Sequence, residues 1–380
     1  MSALDQTPLA ERLRARIRRE GAISFRDWMA AALYDEREGY YCRAARPRWG
    51  RDGGDYRTSP ERTPLFAATF ARYFAALYDQ LGAPPIWTIL EAGAGAGDFA
   101  RVVLGTLEHD HPRVFQATRY YIEETSLDAN LRARANLAAF ADRIEFCRND
   151  GHGTSFLERG LSIEAGVIFS NELLDAFPVH RVVGSHDGRL RELCVAVDEA
   201  GNFCWSEREP TSPRLEEYFA RTGISLAAGR IAEVNLAAGE WIARAASVLR
   251  RGYVVTIDYG AEAKELYGSS ERREGTLRGF REHQFVADVL ARPGEHDLTT
   301  TINWTEIKRA GASAGLETVS FERQDEFLLR AGLLDQLERL TSRLTDEAER
   351  LRLRLGAREM ILPGGMSGSF QVLVQKKRTT

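Results

Sequence analysis

The sequence predicts an α/β protein whose core is an open, mostly parallel sheet covered by helices on both faces. Three observations predict this class. Short apolar runs alternate with helical segments from residue 85 onward, a glycine-rich turn follows the first of these runs, and the 380-residue chain is 44% hydrophobic and 28% charged. Alternation of strand and helix is typical of parallel sheets, because each crossover between parallel strands needs a covering helix.

The first predicted segment, residues 1–84, consists of helices and a lid. Apolar side chains recur at helical spacing over residues 9–34, and Ser24 is placed to cap the second helical run. Residues 40–60 lose this periodicity and become aromatic, glycine-rich and basic, which is typical of a lid or binding segment. A helix resumes from Pro64 to Leu81.

The second predicted segment, residues 85–271, holds most of the sheet. Within it, residues 180–207 form two alternating runs around glycine turns, which predicts an inserted β-hairpin or meander. Helices are predicted at Phe99–Glu108, Leu127–Ala141 and Glu240–Arg250. The predicted strands of the whole sheet are Ile86–Ala92, Arg119–Glu123, Arg143–Cys147, Ala165–Ser170, Gly252–Asp258, Leu316–Phe321 and Ser369–Gln375.

The remaining chain is predicted to form a cap region and one last strand. Residues 272–365 contain a loop-rich stretch from His283 to Trp304. They also contain a charged helix from Leu333 to Leu355, whose dense charges of mixed sign predict a surface position. Residues 366–380 supply the final strand of the sheet.

The charge balance and the cysteine spacing exclude some kinds of partner and ligand from the prediction. Lys and Arg total 51 against 55 Asp and Glu, a formal net charge of −4, so we expect no nucleic-acid or membrane partner. No apolar run approaches the roughly 18 residues of a membrane span, and no signal-peptide pattern is seen, so a cytoplasmic location is expected. No metal site is predicted, because the cysteines have neither C-x-x-C spacing nor a suitably spaced histidine. The cysteines are Cys42, Cys147, Cys194 and Cys204.

The glycine-rich turn reads Glu91-Ala-Gly93-Ala-Gly95-Ala-Gly97. Its glycines remove each Cβ where the backbone passes close to a ligand, and the next helix directs free N–H groups at the turn. Dinucleotide turns have G-x-G-x-x-G spacing, whereas here the spacing is G-x-G-x-G after an acidic residue. That carboxylate repels a pyrophosphate but suits the cationic sulfonium and amino group of S-adenosyl-L-methionine. The turn therefore predicts a site for this cofactor, with a plain strand-to-helix turn as the alternative.

Acidic and amide residues follow the next two predicted strands. Glu124 comes just after the second strand, where a carboxylate can accept hydrogen bonds from both ribose hydroxyls of a nucleoside cofactor. The alternative is that Glu124 starts a helix and complements its dipole. Asn149 and Asp150 follow the third strand at the level of an adenine amine, with a simple Asn-Asp-Gly turn as the alternative.

A polar loop from Asn171 to Asp175 follows the fourth predicted strand. Ligands in open parallel sheets collect at the carboxyl ends of strands. Glu172 and Asp175 are three residues apart, so a short helical turn would place both carboxylates on one face. Such a pair can bind a guanidinium in bidentate fashion, or one member can act as a general base. The alternative is a helix cap with solvated acids, and His180 stays close to this loop in either case.

Through these residues and the segments around them, the chain resembles the MidA (DUF185) family, to which the mitochondrial complex I assembly arginine methyltransferase belongs. The resemblance runs through most of the sequence, and NELLDAFPV and the DLT block are its specific parts. The similar segments are ISFRDWMAAALYDEREGYY (23–41), GDYRTSPE (54–61), LEAGAGAGDF (90–99), YIEETS (121–126), SNELLDAFPVHRVV (170–183), VTIDYG (255–260), TLRGFREHQFVADVLARPGEHDLTTTINW (276–304) and PGGMSGSFQVLV (363–374).

The resemblance implies a Rossmann-like class I methyltransferase sheet with an added helical part built from both chain ends. It implies that a loop containing Thr58, Ser59 and Pro60 covers the cofactor and that His283 and Asp297 line the C-terminal side. It also implies a set of cofactor and target-site residues, namely Gly93, Gly95, Glu124, Asn171, Glu172 and Asp175.

Three functions are compatible with these patterns. The first is a protein arginine N-methyltransferase in which Glu172 and Asp175 hold the guanidinium and Asn171 belongs to the same catalytic site. The second is a small-molecule O- or N-methyltransferase, in which His180 or His283 is the general base. The third is a non-catalytic assembly factor on the same fold. The expected partners are therefore a protein substrate or a small-molecule methyl acceptor, and a homodimer is left open.

Overall fold

The computed structural model describes residues 7–42, 63–147, 162–282, 284–362 and 366–378. The strands predicted from the sequence are present, with ends that differ by at most a few residues. The strands are β1 (Ile23–Ser24), β2 (Trp87–Ala92), β3 (Thr118–Glu123), β4 (Ile144–Cys147), β5 (Gly166–Asn171), β6 (His180–Gly184), β7 (Leu190–Val197), β8 (Phe203–Arg208), β9 (Ile231–Val234), β10 (Gly252–Ala261), β11 (Arg278–Arg281), β12 (Gln284–Val286), β13 (Asp297–Thr299), β14 (Ile302–Asn303), β15 (Leu316–Arg323) and β16 (Phe370–Lys377).

Helices fill most of the intervals between strands, as the alternating pattern predicted. None of the helices in the described ranges combines the length and apolar character needed to cross a bilayer. The helices are α1 (Pro8–Glu20), α2 (Phe25–Tyr34), α3 (Pro64–Gln80), α4 (Asp98–Asp110), α5 (Pro112–Ala117), α6 (Leu127–Asn136), α7 (Arg214–Thr222), α8 (Leu236–Val248), α9 (Ala263–Gly268), α10 (Trp304–Ser313), α11 (Gln324–Arg330), α12 (Leu333–Arg343) and α13 (Glu347–Ile361).

Two compact units divide the chain, and each is assembled from three separate stretches. We name them the antiparallel unit and the large-sheet unit after the sheets they contain. The division into four consecutive segments stays a prediction. Periodicity along the chain does not reveal which distant stretches pack together, and it therefore could not predict units assembled from separate stretches. The antiparallel unit comprises Met1–Arg46, Leu174–Trp241 and Gly260–Ala310, and the large-sheet unit comprises Pro47–Leu173, Ile242–Tyr259 and Gly311–Thr380.

The large-sheet unit is built on the strand order β15-β16-β10-β5-β2-β3-β4. Strands β2, β3, β4, β5 and β10 run parallel, and β16 lies antiparallel between β10 and β15. From β2 the chain moves outward through β3 and β4 and then returns to the other side of β2 at β5. This reversal places a crevice at the carboxyl ends of β2 and β5, where open α/β sheets bind their ligands.

An aromatic cluster fixes the strand and helix that flank this crevice. The rings of Phe99 on α4 and Phe169 on β5 stack with centroids 4.4 Å apart, and Phe70 on α3 packs 5.3 Å from Phe169. Phe66, Phe70 and Phe74 recur at helical spacing on α3 and are fully buried, so α3 covers the sheet with one apolar face. Phe99 lies two residues after the last glycine of the turn, and the cluster therefore anchors the turn.

Helices from both ends of the chain also meet within the large-sheet unit. Arg72 on α3 donates a hydrogen bond to the carbonyl oxygen of Ala331 at 2.9 Å and pairs with Asp335 on α12 at 3.1 Å. This packing agrees with the predicted helical part drawn from both chain ends. Helices α1 and α2, in contrast, belong to the antiparallel unit.

The antiparallel unit contains the sheet β1-β7-β6-β9, with β8 paired to β7. Strands β6, β7 and β8 form the meander predicted over residues 180–207. Strands β1 and β9, from distant positions in the sequence, also join this sheet, where β1 pairs with β7 and β9 pairs with β6. Helix α7 packs Leu215 and Tyr218 against Val182 and Val234 in a buried cluster.

One expectation for the C-terminal third is wrong. The helix predicted from Leu333 to Leu355 is two helices, because the backbone is extended at Leu344 and Asp346 caps a new helix by accepting the N–H of Ala348 at 2.9 Å. The described part of the stretch predicted to be loop-rich, residues 284–304, is largely loop, and its short strands β12 and β13 pair with β11, which precedes it. These strands have three or four residues each, too few for alternating polarity to be recognised.

Candidate active site

Three strand ends converge at the crevice of the large-sheet unit. The last residue of β2, Ala92, lies opposite Glu123 on β3 and Ser170 on β5. The turn after β2, the acidic residue after β3 and the polar residues after β5 therefore start from the same level of the sheet. This register brings together the predicted groups Gly93–Gly97, Glu124 and Asn171–Glu172.

The glycine turn owes its shape to three left-handed residues. Gly93, Gly95 and Gly97 have φ angles of 72°, 54° and 78°, a region that side chains with a Cβ rarely adopt. The N–H of Gly93 donates to the carbonyl oxygen of Glu123 at 2.8 Å, which ties the turn to the end of β3. Gly97 stands directly before α4 and is closely packed, since an added Cβ would lie 2.8 Å from Cδ1 of Leu137.

Gly95, at the middle of the turn, differs from its two neighbours. An added Cβ would meet no heavy atom of the described residues within 4 Å, so none of those residues fills the space beside this glycine. Its N–H donates to Oε2 of Glu124 at 2.8 Å, and the N–H of Ser126 donates to Oε1 of the same carboxylate at 2.7 Å. A carboxylate offers about four lone-pair positions, so a carboxylate can accept more hydrogen bonds than these two. The contact between Glu124 and the cofactor's ribose stays a prediction, and the position of the carboxylate beside the glycine turn is compatible with it.

Glu91 lies at the end of β2 and is 4% exposed. The hydroxyl of Tyr120 on β3 donates to its Oε2 at 2.6 Å. Burial raises the pKa of Glu91 to about 8; the Tyr120 hydrogen bond opposes this rise, and the nearby Glu124 and Asp98 carboxylates add to it. Glu91 is therefore mostly uncharged at neutral pH.

Asn171 is the last residue of β5, and Glu172 follows it in a constrained backbone. Glu172 has a φ of 50°, which costs a non-glycine residue about 1–2 kcal/mol, and its N–H donates to the carbonyl oxygen of Ile257 at 2.9 Å. The amide of Asn171 donates from Nδ2 to Oε1 of Glu172 at 3.1 Å. Its Oδ1 is buried and accepts no hydrogen bond from the residues that the structure describes. Strain and an unpaired buried acceptor together mark this segment as functional.

Asp175 belongs to the antiparallel unit, in the short 3-10 turn Leu174–Ala176. It is buried, and its Oδ2 accepts a hydrogen bond from the hydroxyl of Thr299 at 2.7 Å. Its carbonyl oxygen accepts the N–H of Thr300 at 3.1 Å. Asp297, also buried, accepts from the Tyr41 hydroxyl at 2.8 Å. The DLT block is therefore the partner of the NELLDAFPV segment within this unit.

His180, a candidate general base, begins β6 in the antiparallel unit. Its Nδ1 lies 2.8 Å from Oε1 of Glu192 on β7, and the other Glu192 oxygen accepts the N–H of Thr211 at 2.6 Å. Burial raises the pKa of Glu192, but the hydrogen bonds from His180 and Thr211 outweigh it and leave that pKa lowered. His180 lines an open cleft of about 480 Å³ with Arg26, Asp27 and Arg214. The catalytic role of His180 stays a prediction.

Several predicted site residues lie outside the described ranges. Among the described residues, the structure shows no cluster of three or more metal-ligating side chains. The predicted residues outside the described ranges are Thr58, Ser59, Pro60, Asn149, Asp150 and His283.

Four contacts of the site were not predicted from the sequence. Tyr120 sits within an apolar strand and has the appearance of an ordinary core residue. Tyr41, Glu192 and Thr299 are partners of predicted residues that lie far away along the chain. The one available signal was the DLT spacing, which places Asp297 and Thr299 on the same side of a strand.

The described residues fit S-adenosyl-L-methionine. Gly95 leaves the space that a close-lying ligand needs, and Glu124 is held by two backbone N–H groups in a position to accept ribose hydroxyls. The unpaired Oδ1 of Asn171 is a hydrogen-bond acceptor for a cationic amino group.

Comparison with known proteins gives a consistent result. The sequence profile of a family described as S-adenosyl-L-methionine-dependent methyltransferase matches residues 69–322. The chain is 24% identical to "Protein arginine methyltransferase NDUFAF7 homolog, mitochondrial" of Drosophila melanogaster, over 96% of this chain and 84% of that protein. It is 23% identical to the Homo sapiens protein arginine methyltransferase NDUFAF7, over 96% and 82%. A COG1565 superfamily structure from Burkholderia thailandensis, bound to S-adenosyl-homocysteine, has 30% identity and a TM-score of 0.83 over 97% of this chain and 92% of that chain.

The sheet order, the glycine turn and the Burkholderia thailandensis structure define a class I methyltransferase that uses S-adenosyl-L-methionine. The profile match covers well over half of the chain, and the chain belongs to that methyltransferase family, the MidA (DUF185) family. The protein is therefore an enzyme, and a non-catalytic assembly factor is no longer an alternative.

Proposed function

We propose that the protein methylates an arginine side-chain nitrogen of a protein substrate. The observation that carries the proposal is the strained backbone of Glu172, which places a carboxylate at the carboxyl end of β5. A non-glycine residue is held in the left-handed region only where the surrounding structure requires it, and such residues cluster at active sites. The relatives named above as protein arginine methyltransferases support the same acceptor.

Glu172 has the chemistry that an arginine acceptor requires. An arginine guanidinium is protonated at all physiological pH values, so a carboxylate must orient it and take up a proton as its nitrogen is methylated. The cofactor, when bound, supplies a methyl group activated by its sulfonium. The Asn171 amide fixes one Glu172 oxygen through the 3.1 Å hydrogen bond, and each carboxylate oxygen has lone pairs for guanidinium N–H groups. A role for Asp175 in holding the acceptor stays a prediction from the sequence.

Transfer of labelled methyl groups tests the acceptor. The purified enzyme, labelled S-adenosyl-L-methionine and an extract of the source organism should give label in protein, and acid hydrolysis should recover it as methylarginine. Glu172→Gln should reduce this labelling by about 100-fold or more, since general-base catalysis contributes about 10²–10⁴-fold.

Glu164→Gln is the matched control. Glu164 lies two residues before the first residue of the same strand, is exposed, and accepts one hydrogen bond from Ser162 at 3.3 Å. This variant should label protein like the wild type. Label confined to small molecules would contradict the proposal and favour a small-molecule acceptor. Full protein labelling by Glu172→Gln would exclude the role given to Glu172.

Location and assembly rest on the sequence alone. We propose a cytoplasmic enzyme, although the relatives named above are described as mitochondrial. A homodimer, and the expectation of no nucleic-acid or membrane partner, also stay predictions.

A further inference from the structure

We propose that Glu91 carries a proton in the cofactor-free enzyme and loses it to solvent when S-adenosyl-L-methionine binds, with Tyr120 as the positioning residue that holds the resulting carboxylate. Binding of the cationic cofactor would then be linked to the release of one proton. The inference rests on cofactor binding and does not depend on which molecule accepts the methyl group.

The surroundings of Glu91 favour the neutral carboxyl before binding. The residue is 4% exposed, and Tyr120, its hydrogen-bond partner at 2.6 Å, is fully buried. Neither an arginine nor a lysine pairs with Glu91 within the part of the chain that the structure describes. Burial of an ionised carboxylate without a cation is costly, so such a group takes up a proton instead.

The ionisable groups that face Glu91 from neighbouring elements act in the same direction. Glu124 follows β3 and Asp98 begins α4, and both carboxylates disfavour a second negative charge nearby. Asp98 is itself partly offset by Arg101 at 3.6 Å and by the Asn136 amide at 3.1 Å. From β5, the residue level with Glu91 is the apolar Phe169. A positive charge is therefore what this position lacks, and the cofactor has one at its sulfonium and another at its amino group.

Tyr120 stabilises the ionised form. The phenol O–H donates a hydrogen bond to a carboxylate oxygen. A hydrogen bond to the charged form of an acid lowers the pKa of that acid. Without that bond, the Glu91 pKa of about 8 would be higher still. Tyr120 thus allows Glu91 to ionise at physiological pH once a cation arrives, and it holds Oε2 in place.

Cofactor affinity should depend on pH because Glu91 loses a proton on binding. Below pH 8 the free enzyme binds a proton at Glu91 that the complex lacks. The cofactor affinity of the wild type relative to that of Glu91→Gln therefore falls as the pH is lowered and reaches a plateau above pH 8. Between pH 9 and pH 7 this relative affinity should change by about tenfold, because Glu91, with a pKa of about 8, takes up its proton mainly over the lower half of that interval. Removing Tyr120's hydroxyl should move the start of the plateau to higher pH, by about one unit.

Isothermal titration calorimetry of the full-length enzyme tests the linkage. Binding of S-adenosyl-L-methionine is measured at pH 7 and pH 9 in pairs of buffers with different ionisation enthalpies, which gives the number of protons released. The wild type should release close to one more proton than Glu91→Gln at pH 7, and the difference should be small at pH 9. The cofactor's own amino group titrates in both proteins, so the difference isolates Glu91.

Two tyrosine variants separate positioning from packing. Tyr120→Phe keeps the buried ring, and its weakened binding at pH 7 should recover as the pH is raised, which damage to the fold would not do. Tyr121→Phe is the matched control on the same strand and should follow the wild-type pH profile. Equal proton release by the wild type and Glu91→Gln would overturn the proposal even if binding is normal. Absence of binding by the folded wild type would instead contradict the cofactor assignment.

Discussion

Glu124→Ala should reduce the affinity for S-adenosyl-L-methionine by about 100-fold, which corresponds to about 3 kcal/mol. Hydrogen bonds to a charged group contribute about 1.5–3 kcal/mol each, and this carboxylate is placed to accept from two ribose hydroxyls. The substitution also releases the N–H groups of Gly95 and Ser126, which the carboxylate now binds at 2.8 and 2.7 Å. The turn then loses its fixed shape in addition to losing the acceptor. Calorimetric titration of both proteins measures the effect.

Asp128→Ala is the control for this change. Asp128 lies four residues further on, in the first turn of α6, and pairs with Arg132 on the surface. Exposed ion pairs of this kind contribute about 0.5 kcal/mol or less, so the control should bind the cofactor like the wild type. Wild-type affinity in Glu124→Ala would remove Glu124 from the site.

Gly97→Ala should destabilise the fold by about 3 kcal/mol. A Cβ at this position would lie 2.8 Å from Cδ1 of Leu137 and 3.2 Å from Cβ of Ala133, and the residue has a φ of 78°. The left-handed backbone costs about 1–2 kcal/mol, and overpacking of a filled core costs about 1–3 kcal/mol more. Thermal unfolding should show a Tm lower by several degrees.

Two other glycines in the same region make the comparison specific. Gly105 lies within α4 with open space around its missing Cβ, so Gly105→Ala should raise stability by about 0.5–1 kcal/mol. The methyl group of Gly95→Ala meets no atom of the described residues within 4 Å, so this change should lower stability less than Gly97→Ala does. It should nevertheless weaken cofactor binding at least tenfold, because the added methyl occupies the ligand's space. Equal behaviour of Gly95→Ala and Gly97→Ala would contradict the different roles given to them.

The sequence was sufficient for the parallel sheet and for the groups at its carboxyl edge. Strands such as β2 and β5 are short, apolar and followed by turn or polar residues, and local pattern specifies them well. The carboxyl ends of parallel strands share one edge, so the glycine turn, Glu124 and Asn171 could be placed together before any coordinates were known. Their register in the structure, with Ala92 opposite both Glu123 and Ser170, agrees with that expectation.

Contacts between distant parts of the chain could not be predicted. The hydrogen bonds from Tyr120 to Glu91 and from Thr299 to Asp175 depend on how elements pack, and periodicity reports only which face of an element is apolar. The break at Leu344 was missed because both flanking segments are strongly helical and no proline or glycine separates them. The strained backbone of Glu172 likewise gives no local sign, since glutamate is not a residue that favours positive φ.

The central claim is that S-adenosyl-L-methionine lies on the glycine turn with its ribose at Glu124. A crystal structure of the enzyme with S-adenosyl-homocysteine tests it most directly. The account predicts both ribose hydroxyls within hydrogen-bond distance of the Glu124 carboxylate and the ligand in contact with the backbone of Gly95. A ligand bound away from this turn, or a ribose held by other residues with Glu124 uninvolved, would contradict it.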